Sequence, residues 1–346
     1  MKEKILQALK SKDLATLKTA LAQVKELDLS SSLNAPLLTE KQALLLAEAL
    51  KSNNTLTQLD LEYNRIGATG GGAIAENLKV NSTLTQLNLG GNLIGDTGGA
   101  AIAKSLKVNS TLMQLNLQFN QIGAEGGAAI AESLKVNSTL TQLDLWSNHI
   151  EASGGGAIAE SLKVNSTLTQ LDLGCNKIGD AGGGAIAESL KVNSTLIQIN
   201  LAGNHIEASG GGAIAESLKV NSTLTQLNLQ FNEIGASGGA AIAKSLKVNS
   251  TLTELNLGNN KIGDEVDKAI YEEIKINKAQ QQLIAYHRNE TFPKYLEMSK
   301  LDDNSSQKSF YLLEDCTKGI FTFLLTLPVT DLELKLSGLN EQHDNT

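Results

Sequence analysis

Aligned on itself, the chain repeats every 28 residues. One unit reads NSTLTQLNLGGNLIGDTGGAAIAKSLKV, from Asn81 to Val108, and eight such units run from Asn53 to Ile276 with no insertion or deletion. A degenerate unit precedes them, with VKELDLSSS at Val24–Ser32 in the strand position and Pro36 in a longer loop after it. A period of this length marks a supersecondary unit that cannot bury its apolar face alone, so neighbours stack and each unit touches only the next. The 346 residues therefore read as one elongated array with two ends rather than as two globular domains.

Within each unit the pattern is L-x-x-L-x-L-x-x-N-x-I, as in Leu56, Leu59, Leu61, Asn64 and Ile66; the unit from Leu196 departs only by Ile199. The alternation of Leu59 and Leu61 predicts a strand, and Ile74, Ala75 and Leu78 predict a helix. That helix is expected to end at Asn81, a residue type suited to a left-handed closing position. Small residues at Ala73 and Ala75 let the helix lie close to the strands. Glycine runs such as Gly70–Gly72 carry no following Lys-Ser/Thr and recur in most units, so they read as turns ahead of helices rather than phosphate cradles. Strands sit about 4.8 Å apart and helices about 10 Å wide, so the stack bends with strands inside. The column Asn64, Asn92, Asn120, Asn148, Asn176, Asn204, Asn232 and Asn260 is expected to satisfy backbone groups where each strand turns away.

The fold class is thus an α/β solenoid, a horseshoe with parallel strands on the concave side, helices on the convex side and helical caps at both ends. Residues 1–23 form the N-terminal cap, 24–277 the solenoid, and 278–346 a mainly helical C-terminal cap with a flexible tail. After 277 the composition shifts: seven of the 12 aromatics and two of the three prolines fall there.

The 28-residue unit, its LxxLxLxxNxI core and its helical second half resemble the ribonuclease-inhibitor type of leucine-rich repeat. That family includes ribonuclease inhibitor, the Ran GTPase-activating protein and the sensor ends of NOD-like receptors. The resemblance implies a protein-binding solenoid. The near-identical units, with NSTLTQL at most junctions, also resemble leucine-rich-repeat effectors that intracellular bacteria deliver into host cells.

A formal charge of −8 and a pI of about 5.2 exclude nucleic acid and anionic membrane surfaces as partners, since both require clustered Lys and Arg. No apolar run reaches the ~20 residues that span a bilayer, so no membrane insertion is expected. Cys175 and Cys316 make no disulfide framework, which points to a reducing compartment. The first 23 residues carry charge throughout and are not a signal peptide. The NST segments at Asn81, Asn109, Asn137, Asn165, Asn193, Asn221 and Asn249 then read as turns, not glycan sites. A cytoplasmic monomer is expected or, for an effector, secretion into the host cytosol without a cleaved signal peptide.

Against near-identical units, the variable positions carry the information. Gln58 and its equivalents form one column broken only by Glu254, and the next inward column alternates Asp with Asn. Variation concentrates on the two positions before the column Asn and the one after it. There stand Glu62, Tyr63, Gln118, Phe119, Trp146, Gln230 and Phe231, with His149, Cys175 and Lys177 beside them. Exposed Trp, Tyr and Phe are the usual anchors of a protein interface, so these residues are the candidate partner-binding set. The other account is that the rings pack on neighbouring loops. Phe119 and Trp146 fall in adjacent units, about 5 Å apart laterally. Gly90, Gly91, Gly174, Ala202 and Gly203 are expected to leave room for a partner's side chains. The carboxylates Asp60, Glu62, Asp144, Asp172 and Glu254 favour a partner protein with a basic or mixed surface.

No catalytic residue, metal or cofactor is expected. His149, Cys175 and His205 lie on three consecutive units, too far apart for a nucleophile–base pair or a zinc site. The reading is a non-enzymatic interaction scaffold that binds through its concave face. The alternatives are a GTPase-regulating or inhibitor role through that face, or an activity in residues 278–346 targeted by the repeats.

Overall fold

A computed structural model describes residues 1–31 and 38–286. The Pro36 loop and most of the expected C-terminal cap, with its polar tail, lie outside the described residues. Two short helices open the chain, α1 (Lys2–Ser11) and α2 (Leu14–Leu21), and strands and helices then alternate to Tyr286. The strands are β1 (Glu26–Asp28), β2 (Gln58–Asp60), β3 (Gln86–Asn88), β4 (Gln114–Asn116), β5 (Gln142–Asp144), β6 (Gln170–Asp172), β7 (Gln198–Asn200), β8 (Gln226–Asn228) and β9 (Glu254–Asn256). They form a single nine-stranded parallel sheet in sequence order. Gln58 pairs with Gln86 and Gln86 with Gln114, so the register is the repeat itself.

The helices between them are α3 (Glu40–Leu50), α4 (Gly67–Leu78), α5 (Gly95–Leu106), α6 (Ala124–Leu134), α7 (Glu151–Leu162), α8 (Gly179–Leu190), α9 (Ala208–Leu218) and α10 (Gly235–Leu246), and α11 (Asp264–Tyr286) follows β9. The first seven units contribute the same apolar set, with Ile199 for one leucine; in the first, Leu56, Leu59, Leu61, Ile66, Ile74, Ala75 and Leu78 are all buried. Burying each large aliphatic side chain is worth about 1.5–3 kcal/mol, so stacking is driven along the whole array. The core continues into Ile5, Leu9, Leu17 and Leu21 of α1 and α2, which close over the first repeat. At the other end α11 runs unbroken through position 277, where Asn277 Nδ2 donates to Asn249 O and Leu252 O, both at 2.9 Å.

Two local expectations are corrected. The glycine runs do not precede the helices; they lie inside them, Gly70–Gly72 within α4. They are there because adjacent helices nearly touch: a Cβ at Gly154 would meet the Ala124 backbone at 3.3 Å and Ile150 Cγ2 at 2.8 Å. The asparagines of NST are not left-handed closures either, and none has a positive φ. Asn109 Oδ1 instead accepts the backbone N–H of Leu112 at 2.8 Å, while its Nδ2 donates to Leu78 O, the last residue of α4, at 2.7 Å. The next unit thus satisfies the orphan carbonyl at a helix end, and the helix needs no left-handed cap. From Asn109 to Asn249 these side chains are buried.

Candidate functional site

Gln, Asp and Asn tile the concave face. The groove they line encloses about 580 Å³ and runs from Glu26 to Asn200. The restriction of one column to Asp and Asn has a local cause. The side-chain oxygen of each accepts the N–H two residues on: Asp60 from Glu62 at 2.9 Å, Asn116 from Gln118 and Asp144 from Trp146 at 2.8 Å. Either residue supplies that acceptor, so charge is free to vary where structure is not. Asp144 and Asp172 sit opposite one another on β5 and β6. Burial pushes Asp144 up to about 6; the Asp172 and Glu62 carboxylates add to this against the Trp146 N–H. Burial raises Asp172 as well. This pair was legible only as two neighbouring inward carboxylates, and the candidate set omitted it.

Beyond the strand ends lies the asparagine column, buried from Asn64 to Asn260. Asn120 is representative. Its Nδ2 donates to Leu89 O at 2.8 Å and to Leu117 O at 3.0 Å, and its Oδ1 accepts from Asn92 N at 3.0 Å and Ile94 N at 3.2 Å. Asn92, Asn148, Asn176, Asn204, Asn232 and Asn260 make the same inter-unit donation to the preceding unit's leucine carbonyl. Asn64 donates to Leu29 O.

The residue before each of these asparagines is left-handed in all eight units. Tyr63, Phe119, Ser147, Cys175, Phe231 and Asn259 have φ between 52° and 62°, and Gly91 and Gly203 share the conformation. Only glycine and, less readily, asparagine adopt it without steric cost. Three aromatic residues therefore stand where the backbone disfavours them.

The rings gather. Phe119 and Trp146 meet edge to face with centroids 4.5 Å apart, and Tyr63 reaches Phe119 at 6.3 Å across the intervening unit. The expectation that glycines leave open space for a partner is corrected here. A Cβ at Gly91 would collide with the Tyr63 ring, and one at Gly174 with the Trp146 indole. Gly90 makes way for a hydrogen bond of 2.6 Å from Gln118 Nε2 to Glu62 Oε1. The chain's own side chains fill these gaps and brace the cluster over units two repeats apart. Phe119 and Phe231 still present ring surface to solvent, at 37% and 61% exposure. Gln230 and Phe231 lie three units away from the cluster.

The rim residues His149, Cys175 and Lys177 are exposed. Burial and the Asp172 carboxylate push the Cys175 thiol up, against a hydrogen bond with Trp146. His205 pairs with Glu233 at 2.9 Å. Among the described residues no group of three or more His, Cys, Asp or Glu could hold a metal ion, and no helix is long and apolar enough to cross a membrane.

Eight stretches match the family model for the leucine-rich repeat: 52–75, 80–103, 108–131, 136–159, 164–187, 192–215, 220–243 and 248–265. Together they make up more than half of the chain. The chain belongs to the leucine-rich-repeat family. No curated protein matches this leucine-rich-repeat chain. Among solved structures, actin-binding site 2 of leiomodin-1 is similar at 23% identity and a TM-score of 0.44, covering 49% of this chain and 96% of its own. The C-terminal domain of Caenorhabditis elegans tropomodulin is similar at 11% identity and a TM-score of 0.41, covering 47% of this chain and 97% of its own.

Proposed function

We propose that this leucine-rich-repeat protein is a non-enzymatic scaffold that holds a partner protein against its concave side. The ring cluster Tyr63, Phe119 and Trp146 is the anchor, and Glu62, Gln118, His149, Cys175, Lys177, Gln230 and Phe231 are flanking contacts. One observation carries the reading. Aromatic residues occupy left-handed positions that glycine fills in other units, at a cost of roughly 1 kcal/mol each, and Phe119 keeps part of its ring at the surface. The half-buried carboxylates Asp144 and Asp172 support a partner with a basic or mixed surface, because a cation brought against them restores their favourable ionised form.

In its narrower form the reading is of a ribonuclease-inhibitor-type repeat acting in a cytoplasm, as an effector that occupies a host protein. The 28-residue unit and the near identity of successive units support it.

Capture of proteins from cell lysate, read by mass spectrometry, tests the proposal with the pair Phe119→Ala and Trp146→Ala. The main partner is expected to be lost while circular dichroism stays that of the parent. Undiminished capture by the folded double variant overturns the assignment.

A further inference from the structure

One junction of the array departs from the others. In the last turn of α4, Asn77 stands where the six following units have Ser105, Ser133, Ser161, Ser189, Ser217 and Ser245. The serines satisfy themselves within their own helix: Ser133 Oγ donates to Ile130 O at 2.7 Å, and the four after it repeat the contact. Asn77 does so only in part. Its Nδ2 donates to Ala73 O at 3.0 Å, but its Oδ1 is buried without a partner, and the residue is 5% exposed. Buried acceptors of this kind are nearly always paired, with protein or with ordered water.

The asparagine that follows departs from its row as well. Asn109 Nδ2 reaches Leu78 O at 2.7 Å, and every later NST asparagine makes the matching bond to the end of the preceding unit's helix. Asn81 Nδ2 instead donates to Asn53 O at 3.2 Å and does not reach Leu50 O, the matching carbonyl at the end of α3. One amide hydrogen of Asn81 is left over. Leu50 O takes the Asn53 N–H at 3.0 Å and keeps a second lone pair. Asn77, Asn81 and Leu50 share the lining of one small cavity, and the rest of that lining is aliphatic. The space open to a water molecule there is about 10 Å³, the lower limit for holding one. Leu50 and Leu84 in its wall are 6% and 5% exposed, against 1% and 0% for their counterparts Leu78 and Leu112, so this junction is less tightly sealed than the next.

We propose that this cavity binds one structural water. The water donates to Asn77 Oδ1 and to Leu50 O and accepts from Asn81 Nδ2, about the three bonds of a typical internal water. Nothing larger fits. The aliphatic walls exclude an ion, which would give up its hydration with no opposite charge to replace it. Water thus completes, between α3 and α4, the bonding that direct contacts complete between later helices. The site lies on the helix-to-strand side of the sheet, away from the ring cluster, and involves none of the candidate partner-binding residues.

A high-resolution crystal structure of the full chain tests this, with the serine units as internal controls. One ordered water is expected within about 3.2 Å of both Asn77 Oδ1 and Asn81 Nδ2, and none at the matching places beside the six serines. Asn77→Leu keeps the branching of the side chain and removes the acceptor. It is expected to lose the water while its circular dichroism stays that of the parent. In solution, nuclear Overhauser transfer from a long-lived water to the Asn81 side-chain amide is expected in the parent and absent from Asn77→Leu. A well-ordered Asn77 with no water density beside Oδ1 overturns the proposal. So does a water that persists in Asn77→Leu, or one of equal occupancy in the serine units, because Asn77 is then not what holds it.

Discussion

Asn120 bonds to five backbone groups of its own and the preceding unit through one amide. Truncation leaves the Asn92 and Ile94 N–H groups buried and unpaired, at about 1–3 kcal/mol per group, while Leu89 O and Leu117 O keep the Asn92 and Asn148 amides. Asn120→Ala is therefore expected to lower unfolding stability in urea by ~3 kcal/mol or more, which equilibrium denaturation reads directly. Phe231 is the opposite case: its φ of 55° costs energy, its ring is 61% exposed, and the next unit has Asn259 at the same position. Phe231→Asn is expected to raise stability by up to about 1 kcal/mol. A lowered melting temperature would mean that the ring packs usefully on the free protein. Asp144 sets a pH dependence. Its carboxyl titrates near 6 when folded and near 3.8 when unfolded, so the native state binds the proton more tightly. Stability contributed by this group rises as pH falls through 6 and is lost as pH rises. The melting temperature is expected to increase from pH 7 to pH 5 and to turn over below 4.5. There the surface glutamates held low by lysine hydrogen bonds, such as Glu76 and Glu132, become protonated. Asp144→Asn should raise the melting temperature at pH 7 and flatten the rise.

Helices meet through glycine, and two of them begin on carboxylates borrowed from the neighbouring unit. In α8 a Cβ at Gly182 would strike Ile178 and approach the Ala152 backbone, whereas one at Gly184 meets nothing within 4 Å. Gly182→Ala is expected to destabilise by about 1–3 kcal/mol through overpacking, and Gly184→Ala to stabilise by about 0.5–1 kcal/mol through helix propensity. Thermal melts of the two variants separate packing from propensity within one run of glycines. The start of α6 depends on Asp96 in the preceding unit, whose Oδ1 accepts from Gly123 N at 2.8 Å and Gly126 N at 2.7 Å. Asp180 does the same for α9 through Glu207 N and Gly210 N. These two helices start one residue later than α5, α8 and α10, with a carboxylate of the preceding unit bound at each start.

Across the repeat array, stability is a sum over nearly identical interfaces, joined by an asparagine ladder on either flank. An array of this kind tolerates changes of length in whole units. Deleting residues 137–164 removes one unit in register, and the product is expected to keep the circular dichroism of the parent at a lower melting temperature. Deleting only 137–150 breaks both asparagine ladders and the leucine stack, and is expected to yield no cooperative unfolding transition.

The repeat alone determined the architecture. A leucine pattern recurring every 28 residues has one way to hide its apolar faces, and strand order, register and core residues follow from it. The asparagine before each isoleucine and the variable positions were legible for the same reason, because columns appear as soon as the units are stacked. Three things were decided only in three dimensions. The glycine runs belong inside helices because of how closely neighbouring helices approach, a distance that no single unit encodes. The NST asparagines reach back to the preceding helix, a contact across the repeat that replaces the local cap their residue type suggests. Tyr63 and Trp146 occupy the space that glycines appeared to leave for a partner and Phe119 packs between them; at Tyr63 and Phe119 the left-handed backbone turns the side chain out of the alternation of a strand.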